Sequence, residues 1–90
     1  MTPHARILRD VADEWGNATE KFEPFHSAHE GWAVIREELD ELWEGIKDCY
    51  DSRPGKLPSL EIERLRSEAI QVAAMACRFI EDICDRTGHG

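Results

Sequence analysis

Ninety residues make one small domain, 1–90, whose core is modest enough to be completed by a second copy of the chain. Nineteen acidic against eleven basic residues give a formal net charge of -8, which excludes a broad binder of nucleic-acid backbones, because affinity for phosphate polyanions comes mainly from clustered Lys and Arg. No stretch approaches the ~20 apolar residues of a membrane span, and Met1 to Arg6 lacks the basic-then-apolar pattern of a targeting segment, so a soluble, cytoplasmic protein is expected.

The chain opens with a helix signal. Thr2 can cap, and Pro3 suits the first helical position because its missing N–H would be unpaired there anyway. Leu8, Val11, Trp15, Ala18 and Phe22 recur at three- and four-residue steps, the period of one buried helical face. The first helix is predicted from Pro3 to about Glu20, with Gly16-Asn17 as a weak point. Phe22-Glu23-Pro24-Phe25-His26 reads as a connector, since Pro24 biases Glu23 away from helical geometry, and its two phenylalanines should pack it down. Ser27-Ala28-His29-Glu30 has the form of a capping box: the Ser27 hydroxyl accepts from the Glu30 N–H, and the Glu30 carboxylate accepts from the Ser27 N–H.

Trp32, Ile35, Leu39, Leu42, Trp43, Ile46 and Tyr50 fall within about 100° of helical arc and give the second helix one predicted buried face. In its acidic middle, Glu38 and Glu41 lie at one border of that stripe, roughly 60° apart, while Glu37, Asp40, Glu44 and Asp48 point away. Gly31, Val34 and Gly45 share the border. A glycine inside a helix costs about 1 kcal/mol relative to alanine, so the two glycines are read as leaving space beside the carboxylates.

Asp51 to Pro58 is a predicted loop with a Pro-Gly turn, and Ser59 can cap the helix that follows. Leu65, Ala69, Val72, Ala76, Phe79, Ile80 and Ile83 form the stripe of that third helix, and Ile70, Ala73, Ala74 and Cys77 extend its apolar character around most of the circumference. Such a helix calls for cover on all sides, which three helices of one chain hardly supply. The expected fold is therefore all-α with three helices, the two longer ones forming an antiparallel hairpin that completes a four-helix bundle core with a second subunit. Its core spans about residues 21–86, with 87–90 a flexible tail. Cys49, Cys77 and Cys84 show no C-x-x-C spacing and sit in apolar patterns, so they are read as small core residues.

The third helix repeats the pattern of the second. Glu68 and Gln71 sit three apart at the border of its stripe, so four oxygen-bearing side chains converge if the two helices run antiparallel. An isolated E-E-x-x-E is ordinarily a solvated acidic face. The second pair and the adjoining glycines give this one the form of a Mg²⁺ site. His26, His29 and Glu30 make a poor zinc site by spacing and number. A ferritin-like carboxylate site would need E-x-x-H, which neither long helix has at its pair.

Phe25 to Ile35, Glu37 to Trp43 and Glu68 to Ala76 together resemble the MazG-like all-α nucleoside triphosphate pyrophosphohydrolases, and most of all their short single-domain bacterial and phage forms. The superfamily motif is E-E-x-x-E, a spacer, then E-x-x-D, and the resemblance covers roughly Lys21 to Asp82. It implies a Mg²⁺-dependent hydrolase, with Mn²⁺ as a substitute, that cleaves between the α- and β-phosphates to give the monophosphate and pyrophosphate, working as a homodimer or homotetramer. Carried over by position, Glu38, Glu41 and Glu68 would be metal ligands and Glu37 would orient or activate water, so that Glu37, Glu38 and Glu41 form the catalytic set. Gln71 departs from the motif. Standing where the family has aspartate, it can ligate only weakly through its amide oxygen or hydrogen-bond to a bound water, and the lost charge should weaken metal binding.

Arg78, Lys47 and Lys56 are candidate phosphate partners. Relatives place aromatic and polar groups for the base at a subunit interface, and His29, Trp32, Trp43 and Phe25 are the candidates here. The alternative function is a catalytically weak or inactive helical oligomerisation or interaction module derived from that family, for which Gln71 is the main argument.

Overall fold

The computed structural model describes residues 1–50 and 59–86; the predicted loop Asp51 to Pro58, with Lys56 in it, and the tail at 87–90 lie outside the described residues. The chain is all-α, with helices α1 (Pro3–Lys21), α2 (Ala28–Tyr50) and α3 (Ser59–Phe79), the last running on into a π-helical turn, Ile80–Asp85. No strand occurs among the described residues, and no helix is long and apolar enough to cross a membrane.

The helix starts follow their local chemistry. Thr2 Oγ1 accepts from the Ala5 N–H at 3.1 Å, and α1 runs unbroken through Gly16-Asn17 to Lys21. Ser27 Oγ accepts from the Glu30 N–H at 3.1 Å, but the Glu30 carboxylate accepts from the His26 N–H at 3.2 Å instead of from Ser27. The His26 ring lies beside the same carboxylate, with Nδ1 3.6 Å from Glu30 Oε2.

α2 and α3 run antiparallel, with Gly31 against Phe79 near one end and Gly45 against Leu65 near the other, where Arg64 also pairs with Asp48 at 3.3 Å. α1 lies on another side of α3, with Asp10 bonded to Arg66 at 2.7 Å and the Trp15 indole N–H donating to Glu81 at 3.3 Å. α3 is therefore the shared support, while α1 and α2 scarcely touch each other. A groove is left between them. The core beneath it is built from Ala18, Phe25, Ala74 and Met75, with Trp15, Val34, Ile35, Phe79 and Ile83 packed around.

α2 does not bury the predicted face. Trp32, Leu39, Trp43 and Tyr50 are 55%, 40%, 56% and 47% exposed, and Ile35, Leu42 and Ile46 are half-buried. Contact with α3 is made instead at the border of the stripe, where Gly31 and Gly45 are buried. The reason is backbone approach: a Cβ at Gly31 would stand 2.6 Å from Phe79 Cδ2, and one at Gly45 3.2 Å from Leu65 Cδ2. The space expected beside the glutamates is thus filled by apolar side chains of α3. Leu8 and Phe22 are likewise exposed on the α1 side, and Ala69, Ala76 and Ile80 on the α3 side, so neither helix is covered as its stripe predicted. Of the cysteines only Cys49 is buried; Cys77 is half-buried and Cys84, in the π-helical turn, is exposed.

Two glycines should respond to substitution in opposite directions. Nothing lies within 4 Å of a Cβ built on Gly16, so Gly16→Ala should stabilise by about 0.5–1 kcal/mol through helix propensity. Gly31→Ala gains the same term but pushes a methyl into Phe79 and Phe25, and overpacking of about 1–3 kcal/mol makes it the weaker protein. Urea melts of both variants check this, and equal shifts would show that the Gly31 contact is slack.

Candidate metal centre

The antiparallel hairpin sets Glu38 and Glu41 of α2, one helical turn apart, opposite Glu68 of α3. One carboxylate oxygen from each lies within 4.8 Å of the other two, with Glu38 and Glu68 half-buried and Glu41 exposed. The basic side chains of α2 and α3 nearby are engaged elsewhere: Arg36 with Asp40, Lys47 with Glu44, Arg64 with Asp48 and Arg66 with Asp10. None of the three glutamates has a basic partner among the described residues.

The electrostatic consequence falls on Glu38. Burial, then the Glu41 carboxylate beside it, with smaller contributions from Glu68 and Glu37, push its carboxyl from 4.5 up to about 7. A carboxyl whose pKa rises on folding takes up a proton as the chain folds. Its contribution to stability is therefore complete below about 4.5 and is lost as pH climbs through about 7. Metal-free protein should accordingly unfold at lower urea concentration at pH 8 than at pH 5, and Glu38→Gln should flatten that difference. A variant with the same pH dependence as the unaltered protein would assign it to another group. Asp10 does not interfere: hydrogen bonding from Arg66 lowers its pKa below 3.8, so its contribution is lost only on acidification.

Three carboxylates and the amide oxygen of Gln71 are hard donors of the kind Mg²⁺ and Mn²⁺ prefer. Bonds of about 2.0–2.1 Å put neighbouring ligand oxygens about 3 Å apart and opposite ones about 4 Å apart. Oxygens of the three glutamates already within 4.8 Å are close to that spacing, so the three carboxylates fit such an ion. Gln71 lines the adjoining cavity together with Glu38.

The groove between α1 and α2 forms a cavity of about 330 Å³ against this cluster. Glu37 and Glu38 stand on its α2 wall, Glu14 and Ala18 on its α1 wall, and Gln71, Met75 and Arg78 rise from α3. Phe22, Glu23 and Phe25 of the connector close one end. That end is pinned to α3: Arg78 donates to the Glu23 carbonyl at 2.9 Å, and the buried Asp82 carboxylate accepts from the Phe25 N–H at 3.0 Å. Arg78 is 5% exposed, with its guanidinium 4.3 Å from the centre of the Phe25 ring. No carboxylate pairs with it among the described residues.

The other residues singled out from the sequence are dispersed. Glu37 is exposed at the cavity wall, and Arg78 stands seven residues beyond Gln71, about 10 Å along the helix axis. His29 and Trp32 line a different, open groove of about 460 Å³ with Ile35 and Phe79. Trp43 lies under the Lys47 ammonium, which is 5.7 Å from its ring and 2.8 Å from Glu44; neither residue lines the cavity. Phe22, Glu23, Glu30 and Glu14 line it without having been foreseen as site residues. Glu14 left a legible trace: three residues after Val11 and four before Ala18, it is an acidic residue set into the apolar stripe of α1.

Comparison with known protein families, curated proteins and solved structures gives no significant match for this chain. Its function has to be read from the site itself.

Proposed function

We propose that the chain is a Mg²⁺-dependent nucleoside triphosphate pyrophosphohydrolase that releases pyrophosphate and leaves the monophosphate, with Mn²⁺ able to substitute. The observation that carries this reading is the convergence of Glu38, Glu41 and Glu68 within 4.8 Å, without basic partners among the described residues, beside a cavity that also holds a buried guanidinium. Three carboxylates at one side of the cavity and one guanidinium further along it suit a ligand that is anionic and brings a divalent ion with it. When bound, Mg²⁺ neutralises triphosphate charge and lowers the pKa of water.

The chain's own residues do the rest. Glu38, Glu41 and Glu68 hold the cation, and Gln71 adds its amide oxygen or a hydrogen bond to a water. Glu37, exposed at the cavity wall, orients the attacking water and accepts its proton. Arg78 offers guanidinium N–H groups to substrate oxygens from the connector end. A second copy covers Trp32, Leu39, Trp43 and Tyr50 to complete the four-helix core, and the groove of His29 and Trp32 becomes part of that interface, where the base is recognised. The setting is the cytoplasm.

Incubation with each common triphosphate and Mg²⁺ should release pyrophosphate from at least one of them. No release from any would favour the second reading, a non-catalytic oligomerisation module, which Gln71 and the exposed apolar stripe of α2 support.

A further inference from the structure

We infer that Glu14 of α1 supplies the negative charge that Gln71 withholds from the cation site, acting across the groove through the cation's water shell; this rests on the Mg²⁺ reading above. Four carboxylates line the cavity besides Glu38: Glu14, Glu23, Glu30 and Glu37. Glu23 and Glu30 hold His26 between them, at 3.4 and 3.6 Å. Glu37 is exposed on the α2 wall beside Glu38. Glu14 is the one that α1 contributes. It is half-buried, and it has no hydrogen-bond or ion-pair partner among the described residues.

Its position is firmly set from both sides. Four residues earlier, Asp10 is bonded to Arg66 at 2.7 Å; four residues later, Ala18 packs in the cluster with Ala74 and Met75. Glu14 is thereby held over the stretch of α3 between Arg66 and Ala74, which carries Glu68 and Gln71. With no partner among the described residues, in a cavity partly walled by Ala18, Val34 and Met75, the Glu14 carboxylate is placed to answer a cation that enters the cavity. Arg78 lines the same cavity, rests on the Glu23 carbonyl and the Phe25 ring, and pairs with no carboxylate among the described residues.

Glu14 is not one of the three residues whose oxygens converge within 4.8 Å; it stands on the α1 wall of the cavity that Glu38 and Gln71 also line. Mg²⁺ dehydrates reluctantly and keeps several waters. A carboxylate on the far wall would accept hydrogen bonds from those waters and would add a fourth negative charge to the three from α2 and α3. On this account α1 is part of the site and not only a brace for α3.

Calorimetric titration of Mn²⁺ alone into the ligand-free protein tests this. Glu14→Gln should bind Mn²⁺ about 10-fold or more weakly, and adding Gln71→Asp to that variant should return affinity to near the unaltered value, with helical content by circular dichroism the same throughout. Equal affinity in Glu14→Gln, together with weakened binding in Glu38→Gln, overturns the role of Glu14 and leaves the cation site standing. A loss that Gln71→Asp does not repair overturns the charge compensation. Absence of Mn²⁺ binding by the unaltered protein removes the cation site itself.

Discussion

Glu38→Gln is expected to lower pyrophosphate release at least about 100-fold while making the metal-free protein more stable above pH 7. The two effects have one cause. Glu38 is half-buried between Glu41 and Glu68 with no basic partner among the described residues, and its carboxyl is pushed up to about 7 as a result. A bound cation would turn that repulsion into attraction, so the residue that is costliest to ionise in the metal-free protein is the one that binding would reward most. Glutamine keeps the size and the hydrogen-bonding oxygen but cannot ionise, which removes both the repulsion and the charged ligand. Pyrophosphate assays and urea melts at pH 8 on the same preparation check the pair. Undiminished release would sink the site, and a variant that is less stable at pH 8 would mark Glu38 as a structural residue.

Leu39→Glu should separate the subunits, weakening association by at least about 100-fold. Leu39 sits mid-way along the exposed stripe between Trp32 and Tyr50 and is 40% exposed in the single chain, so the change costs the isolated fold little. In a two-fold symmetric interface the same patch meets itself, and two carboxylates would be brought together in an otherwise apolar contact. Light scattering of the unaltered protein should give twice the 10.3 kDa chain mass at micromolar concentration, and the variant should give the chain mass. A single-chain mass for the unaltered protein, or an undissociated variant, would end the dimer proposal. Circular dichroism of the variant should remain helical.

Local signals translated well into structure. Thr2 and Pro3 start α1, Ser27 caps α2, and the E-x-x-E and E-x-x-Q spacings place Glu38, Glu41, Glu68 and Gln71 on facing sides of an antiparallel hairpin, because helical period and chain direction alone determine those positions. What periodicity cannot supply is the identity of the surface that covers an apolar face. The stripe Trp32 to Tyr50 is as apolar as the pattern said, yet α3 packs on the glycine border, since Phe79 and Leu65 gain closer contact where no Cβ intervenes. The Arg78 and Asp82 anchors join residues more than fifty positions away in sequence. Glu14 was missed for the related reason that a carboxylate on an apolar stripe declares its purpose only when the opposite wall is known.

The closed end of the cavity also has a place in time. Glu23 and Phe25 are fixed by Arg78 and Asp82, across sequence separations of 55 and 57 residues, whereas the α2 and α3 contacts near Gly45 and Leu65 close a much shorter span. Contacts that enclose long loops carry the larger entropic cost and form late. The pairing of α2 with the start of α3, which brings Glu38, Glu41 and Glu68 together, therefore needs less loop closure than the anchoring of Glu23 and Phe25. The carboxylate cluster is thus the more local part of the site, and the closed end of the chamber its most long-range part.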